Sequence, residues 1–143
     1  MIVSGADSAT LETVELRIPR KAEWVAVARL AAAAVASRMH FTIEEIEDVK
    51  LAVAEACTNA IQSADAANQI QIVCEADHAH LRVTVTNTNI DGAPAGSPPA
   101  LAEDDGRVDG LGVFLIRSLM DDVEYDVHPE RGTHLVMVKR LAS

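Results

Sequence analysis

The fold this sequence predicts is an α+β two-layer sandwich, a mostly antiparallel (mixed) sheet of about five strands with three helices on one face. Three observations carry the prediction. Two strand–turn–strand patterns, at Gln69–Asn87 and Asp122–Leu141, read as antiparallel hairpins. Three segments of helical periodicity lie between the strands. The chain has 143 residues, 49% of them hydrophobic, which suits one domain with a modest core. With aromatics at 3%, that core must be aliphatic and rich in alanine.

In chain order, residues 1–12 read as a flexible leader and 13–143 as one domain. Val14–Pro19, VELRIP, alternates apolar and polar residues and ends at a proline, as a strand does. Lys21–Arg38 is helical, with Trp24, Val27, Leu30, Ala31, Ala34 and Val35 at helical spacing. After a turn at Met39–Phe41, Thr42 and Glu45 form a capping-box signature for a second helix running to about Ala64. Its apolar stripe is Ile46, Val49, Val53, Cys57, Ala60 and Ala64. Gln69–Ala76 and His80–Asn87 are strands joined by a tight turn at Asp77–Ala79. Leu81, Val83, Val85 and Asn87 share the core face of the second of these. Residues 88–109 are rich in proline and glycine and read as a long mobile loop, of the kind that is usually functional or disordered. Gly110–Met120 is helical after its glycines, and Asp122–Val127 and Gly132–Leu141 are the last two strands.

Composition narrows the function. The formal net charge is -10, which argues against a nucleic-acid partner, because phosphate backbones demand a cationic surface. It suits a basic protein partner instead. No apolar run approaches a membrane span, and the first residues lack the charged and apolar regions of a signal peptide. Cys57 and Cys74, the two cysteines, sit in apolar segments and read as reduced core thiols of a cytoplasmic protein.

The chemistry-bearing residues are few. Glu55 and Asn59 are four apart and therefore share one helix face, roughly opposite the apolar stripe and in line with Asp48 and Gln62. Such a pair also fits a plain solvated face. The small neighbours Ala52, Ala54, Ala56 and Ala60 leave room for another element or a ligand to approach closely. Asn87 ends a buried row and needs a hydrogen-bond partner there; a strand-end amide capping a turn is the simpler alternative. Gly110-Leu-Gly112 opens a helix, where backbone N–H groups and the helix dipole favour an anion, although glycine also starts helices for packing reasons. There is no GxxxxGK[ST], HExxH, CxxC or nucleophile elbow.

Taken together, EACTNAI, VTVTNTNIDG, GLGVFLIRSLMDDVEY and GTHLVMVKRL resemble the sequential boxes of the GHKL (Bergerat-fold) ATPases. More narrowly, they resemble the bacterial anti-sigma-factor serine kinases. The resemblance runs from about Val14 to Leu141. It implies one ATP- and Mg²⁺-binding domain, usually a homodimer. Such a domain holds an alternative sigma factor in one state. In the other it is held by a small anti-anti-sigma protein of STAS type, whose serine it phosphorylates. By resemblance, Glu55 is the catalytic carboxylate and Asn59 the magnesium ligand. Gly110 and Gly112 cradle phosphate, Thr133 stands beside the adenine pocket, and 88–109 is the ATP lid. A carboxylate can take the serine proton, and Mg²⁺ needs only one protein oxygen when phosphates and water supply the rest.

The chain departs from the family pattern at two places. Asn87 stands where an adenine-reading aspartate is usual, and Asn89 where a glycine is expected. A neutral acceptor binds more weakly than a charged one, by roughly half. An arginine found in some members two residues before the first glycine is Val108 here, which leaves Arg107 to reach the γ-phosphate, with Asp109 turned outward. The expectation is a kinase with weakened nucleotide binding. The alternatives are a non-catalytic sigma-binding module with a degenerate site, and an accessory ATPase-type domain serving another regulator.

Overall fold

A computed structural model of the chain describes residues 2–5, 12–63, 67–88, 111–128 and 132–141. Its strands are β1 (Ile2–Gly5), β2 (Glu12–Pro19), β3 (Gln69–Ala76), β4 (His80–Thr88), β5 (Asp122–His128) and β6 (Gly132–Arg140). Its helices are α1 (Val25–Ser37), α2 (Ile43–Gln62) and α3 (Leu111–Leu119), with a 3-10 turn at Ala22–Trp24 before α1. The strand order is β1-β2-β3-β4-β6-β5, and every pair of neighbours is antiparallel. No described helix is long and apolar enough to cross a membrane.

The two expected hairpins are β3–β4 and β5–β6. The sheet has one strand more than predicted, because Ile2–Gly5, inside the stretch read as leader, pairs with β2. Four residues carry too few alternations to register as period two, and it is the open edge of β2 that selects them. The rest of that leader and the stretch 89–110 lie outside the described residues.

Register makes the core. One row crosses five strands as Leu16, Ile72, Val85, Leu135 and Tyr125. The next runs Val14, Cys74, Val83, Met137 and Val123. Both face the helices, and most of their members are buried. The opposite face carries Arg17, Gln71, Thr86 and His134 in one row, with Thr86 Oγ1 and His134 Nδ1 3.0 Å apart. Alternation of period two thus sorts apolar from polar residues across the sheet.

The helices lie on the apolar face. α2 begins with the predicted box: Glu45 N–H donates to Thr42 Oγ1 at 3.0 Å, and Thr42 N–H donates to Glu45 Oε1 at 2.8 Å. Val49, Val53, Cys57 and Ala60 of its stripe are buried. α1 differs from expectation. It buries Ala28, Ala32 and Ala36, while Trp24, Val27 and Leu30 are exposed. The alanines, four apart, let the helix backbone sit close to the sheet and α2. In a helix apolar almost all round, the larger side chains do not mark the inner face. Burial pushes the Cys57 thiol up to about 12, with Cys74 nearby adding to the effect, and burial pushes Cys74 up to about 11. Both are free, as expected, and neither is a thiolate near neutral pH.

Candidate functional site

The site is assembled where the C-terminal half of α2, the end of β4 and the start of α3 meet. Glu55 is half-buried on α2, and among the described residues nothing donates a hydrogen bond to its carboxylate. One turn later Asn59 is 7% exposed. Asn59 therefore does not lie on the plain solvated face that was the alternative to a site. α3 packs along that flank of α2, and the small residues Ala52 and Ala56 are buried with it.

Gly112 is the point of contact. A Cβ on Gly112 would stand 2.7 Å from Asn59 Oδ1 and 2.9 Å from Asn59 Nδ2. No side chain fits there without displacing the amide. The glycine thus has a reason beyond the one read from the sequence: it makes space for Asn59. Asn59 Nδ2 is buried and has no hydrogen-bond partner among the described residues. A buried amide left unsatisfied costs about 1–3 kcal/mol, so something must offset it.

Asn87 is placed as the inward alternation of β4 predicts, at 1% exposure. Its Nδ2 donates to Ala60 O at 3.1 Å, tying the end of β4 to the last turn of α2. This bond fixes which end of the amide faces the helix and turns Oδ1 the other way. An aspartate, having no donor when ionised, could not make it. The departure from the family's acidic residue therefore has a structural partner in α2.

Arg20, just after β2, holds the same turn. Its guanidinium donates to Ala67 O at 2.8 Å, to Ile61 O at 3.2 Å and to Ser63 O. These carbonyls include ones a helix leaves open at its C-terminus, where a cation also suits the dipole. Arg20 belongs to no motif in the sequence. The available signal was a lone arginine directly after the strand-ending Pro19. Thr133 pairs with Val127 in the β5–β6 ladder. Its side chain, Arg107 and Gly110 lie outside the described part of the chain.

The geometry fits a hard cation carried by a phosphate chain. The described residues hold no group of three or more His, Cys, Asp or Glu able to cage an ion. An ion on the orphaned Asn59 amide would complete its shell from water and phosphate oxygens, which is the usual habit of Mg²⁺. The amide can present its carbonyl by a half-turn about the Cβ–Cγ bond. The beginning of α3, where a helix directs its first backbone N–H groups outward, is the matching place for the phosphates.

Fold and site define a nucleotide-binding domain of two layers, and comparison with known proteins agrees. Residues 18–139 match the family model of the histidine kinase-like ATPase domain, and the chain belongs to that family. Among curated proteins it is similar to the serine-protein kinase RsbW of Bacillus thuringiensis (strain Al Hakam), Bacillus cereus (strain AH820) and Bacillus anthracis (strain A0248). In each case identity is 37% over 142 residues, covering 90% of this chain and 84% of the relative.

Proposed function

We propose that this chain is an ATP-dependent serine kinase and anti-sigma factor. It sequesters an alternative sigma factor, and it phosphorylates a serine of an anti-anti-sigma partner of STAS type. The observation that carries the reading is the contact between Gly112 and the amide of Asn59, whose Nδ2 has no partner among the described residues, one turn from Glu55, in a chain similar to serine-protein kinases.

Each residue then has a physical role. Asn59 would hold Mg²⁺ through its amide oxygen, and the ion supplies charge neutralisation of the triphosphate. Gly112 and Gly110 bring backbone N–H groups against the phosphates at the start of α3, and Arg107 steadies the γ-phosphate. Asn87, anchored to Ala60 O, offers its carbonyl toward the adenine amine, with Thr133 beside it. Glu55 accepts the proton of the serine hydroxyl as its oxygen bonds to the γ-phosphorus and the bond to ADP breaks. The stretch 89–109, which the resemblance makes the ATP lid, keeps water from the nucleotide. The reading also includes a cytoplasmic homodimer, which light scattering of the purified chain would test.

The experiment is transfer of labelled phosphate from ATP to a purified anti-anti-sigma partner in Mg²⁺. Transfer that is lost in Glu55→Gln, while ADP still binds, supports the kinase. No transfer to a partner that binds the chain, together with a flat ADP titration, leaves a non-catalytic sigma-binding module. The neutral Asn87 favours that second reading, because an uncharged acceptor holds adenine more weakly.

A further inference from the structure

We propose that Lys139 and Asp48 are positioning residues for the nucleotide site. They hold α3 at the spacing from α2 on which the Asn59–Gly112 contact depends. The proposal rests on the nucleotide-binding reading above.

Lys139 stands on the inward parity of β6 with the buried Leu135 and Met137, opposite Leu81 in the ladder. It is 8% exposed. An ammonium that deep needs partners. Its Nζ donates to Leu119 O at 2.6 Å and lies 3.6 Å from Asp48 Oδ2. Leu119 is the last residue of α3, so its carbonyl is one that the helix leaves open, at the end where a cation suits the dipole. Asp48 belongs to the first half of α2. One side chain therefore fastens the sheet, α3 and α2 together.

The same end of α3 is fastened again by backbone. Asp121 N–H donates to Val138 O at 2.9 Å, and Arg140 N–H donates to Asp121 Oδ2 at 2.7 Å. The other end of α3 carries Gly112 against Asn59. From Asp48 to Asn59 is about three turns up α2, and from Leu119 back to Gly112 about two turns down α3. The helices run antiparallel, clamped at one end and bearing the site at the other. With a Cβ position already 2.7 Å from Asn59 Oδ1, Gly112 has little freedom to move inward. If the clamp is released, the helix can swing outward. The phosphate donors then separate from the metal ligand, while Glu55, on α2, stays in place.

The test compares Lys139→Met, which keeps most of the apolar stem and removes the charge, with Lys139→Arg, which keeps charge and donors. It uses the full chain and an anti-anti-sigma substrate. Lys139→Met should raise KM for ATP and Kd for Mg²⁺–ADP by about tenfold, at the low end of outer-shell effects, with kcat at saturating ATP within about twofold. Lys139→Arg should restore most of the affinity. Asp48→Asn, at a side chain 41% exposed, should shift affinity the same way by less, and carries the test if Lys139→Met does not fold. The double variant should be no worse than Lys139→Met alone. A Lys139→Met protein, or failing that an Asp48→Asn protein, that binds ADP like wild type overturns the clamp. So does a loss confined to kcat. Wild type that binds no ADP overturns the nucleotide reading and the proposal with it.

Discussion

The seam between α2 and α3 has two unlike ends. At one, Lys139, Asp48 and Leu119 O meet a buried charge with a donor, an acceptor and a counter-ion. At the other, Asn59 is just as buried, yet its Nδ2 has no partner among the described residues, and Gly112 presses against it. The anchored end has its polar groups satisfied within the folded chain. The open end leaves a polar group in a state that folding does not favour. Such a difference within one helix pair marks where a ligand is expected, because strain and unsatisfied groups persist where function uses them.

Breaking the open end should give the largest effect on activity and little on stability. Asn59→Ala is expected to lower phosphotransfer by about two orders of magnitude or more, the scale of losing a key electrostatic group. Without nucleotide, its unfolding free energy should not fall below wild type by more than about 1 kcal/mol, since no hydrogen bond is lost. Kinetic assay and chemical denaturation, run side by side, check both halves. A loss of stability matching the loss of activity would make Asn59 a structural residue.

Gly112→Ala tests the contact from its other side. The added methyl collides with the amide and should cost about 1–3 kcal/mol, as overpacking does, and should weaken Mg²⁺–ADP in calorimetry. Unchanged stability and affinity would mean that α3 moves aside freely. Asn87→Asp should destabilise by a similar amount or somewhat less, about 1–2 kcal/mol, because the donor to Ala60 O is gone and a carboxylate faces a carbonyl. Thermal unfolding at neutral pH reads this. A variant as stable as wild type would remove the structural reason for the asparagine.

The smallest effect lies far from the seam, in the turn between β3 and β4. Backbone N–H donation from Ala79 holds the Asp77 carboxyl below its usual value of 3.8; desolvation opposes it, and His80 N–H and the His80 side chain add to the lowering. Since the folded value is the lower one, the stabilisation is present above pH 3.8 and fades as pH falls through the folded value. The β3–β4 amide signals should loosen in that range in wild type and show no such step in Asp77→Ala.

Much of this was legible in the sequence. Alternation along VELRIP, QIQIVCEA and LRVTVTN set strand faces, and the Thr42–Glu45 pair set the start of α2. Both depend only on neighbours a few residues away, where backbone geometry dictates which side chains meet. The helix face carrying Glu55 and Asn59, and the glycines at the start of α3, were likewise visible.

Other features depend on contacts between distant segments. Ile2–Gly5 became a strand because β2 offered it an edge. α1 turned its alanines inward because closeness to its neighbours outweighed the area of Val27 and Leu30. Asn59 is buried rather than solvated because α3 lies across it, and Asn87 finds its donor's partner in Ala60, 27 residues away. Lys139 is read from sequence as an ordinary charged strand residue until its parity is followed into the core. The sequence by itself determined periodicity, caps and the identity of the reactive groups, since these are local. Which of those groups are desolvated, paired or left open was decided by the tertiary structure, because burial is a property of what comes to rest against a side chain.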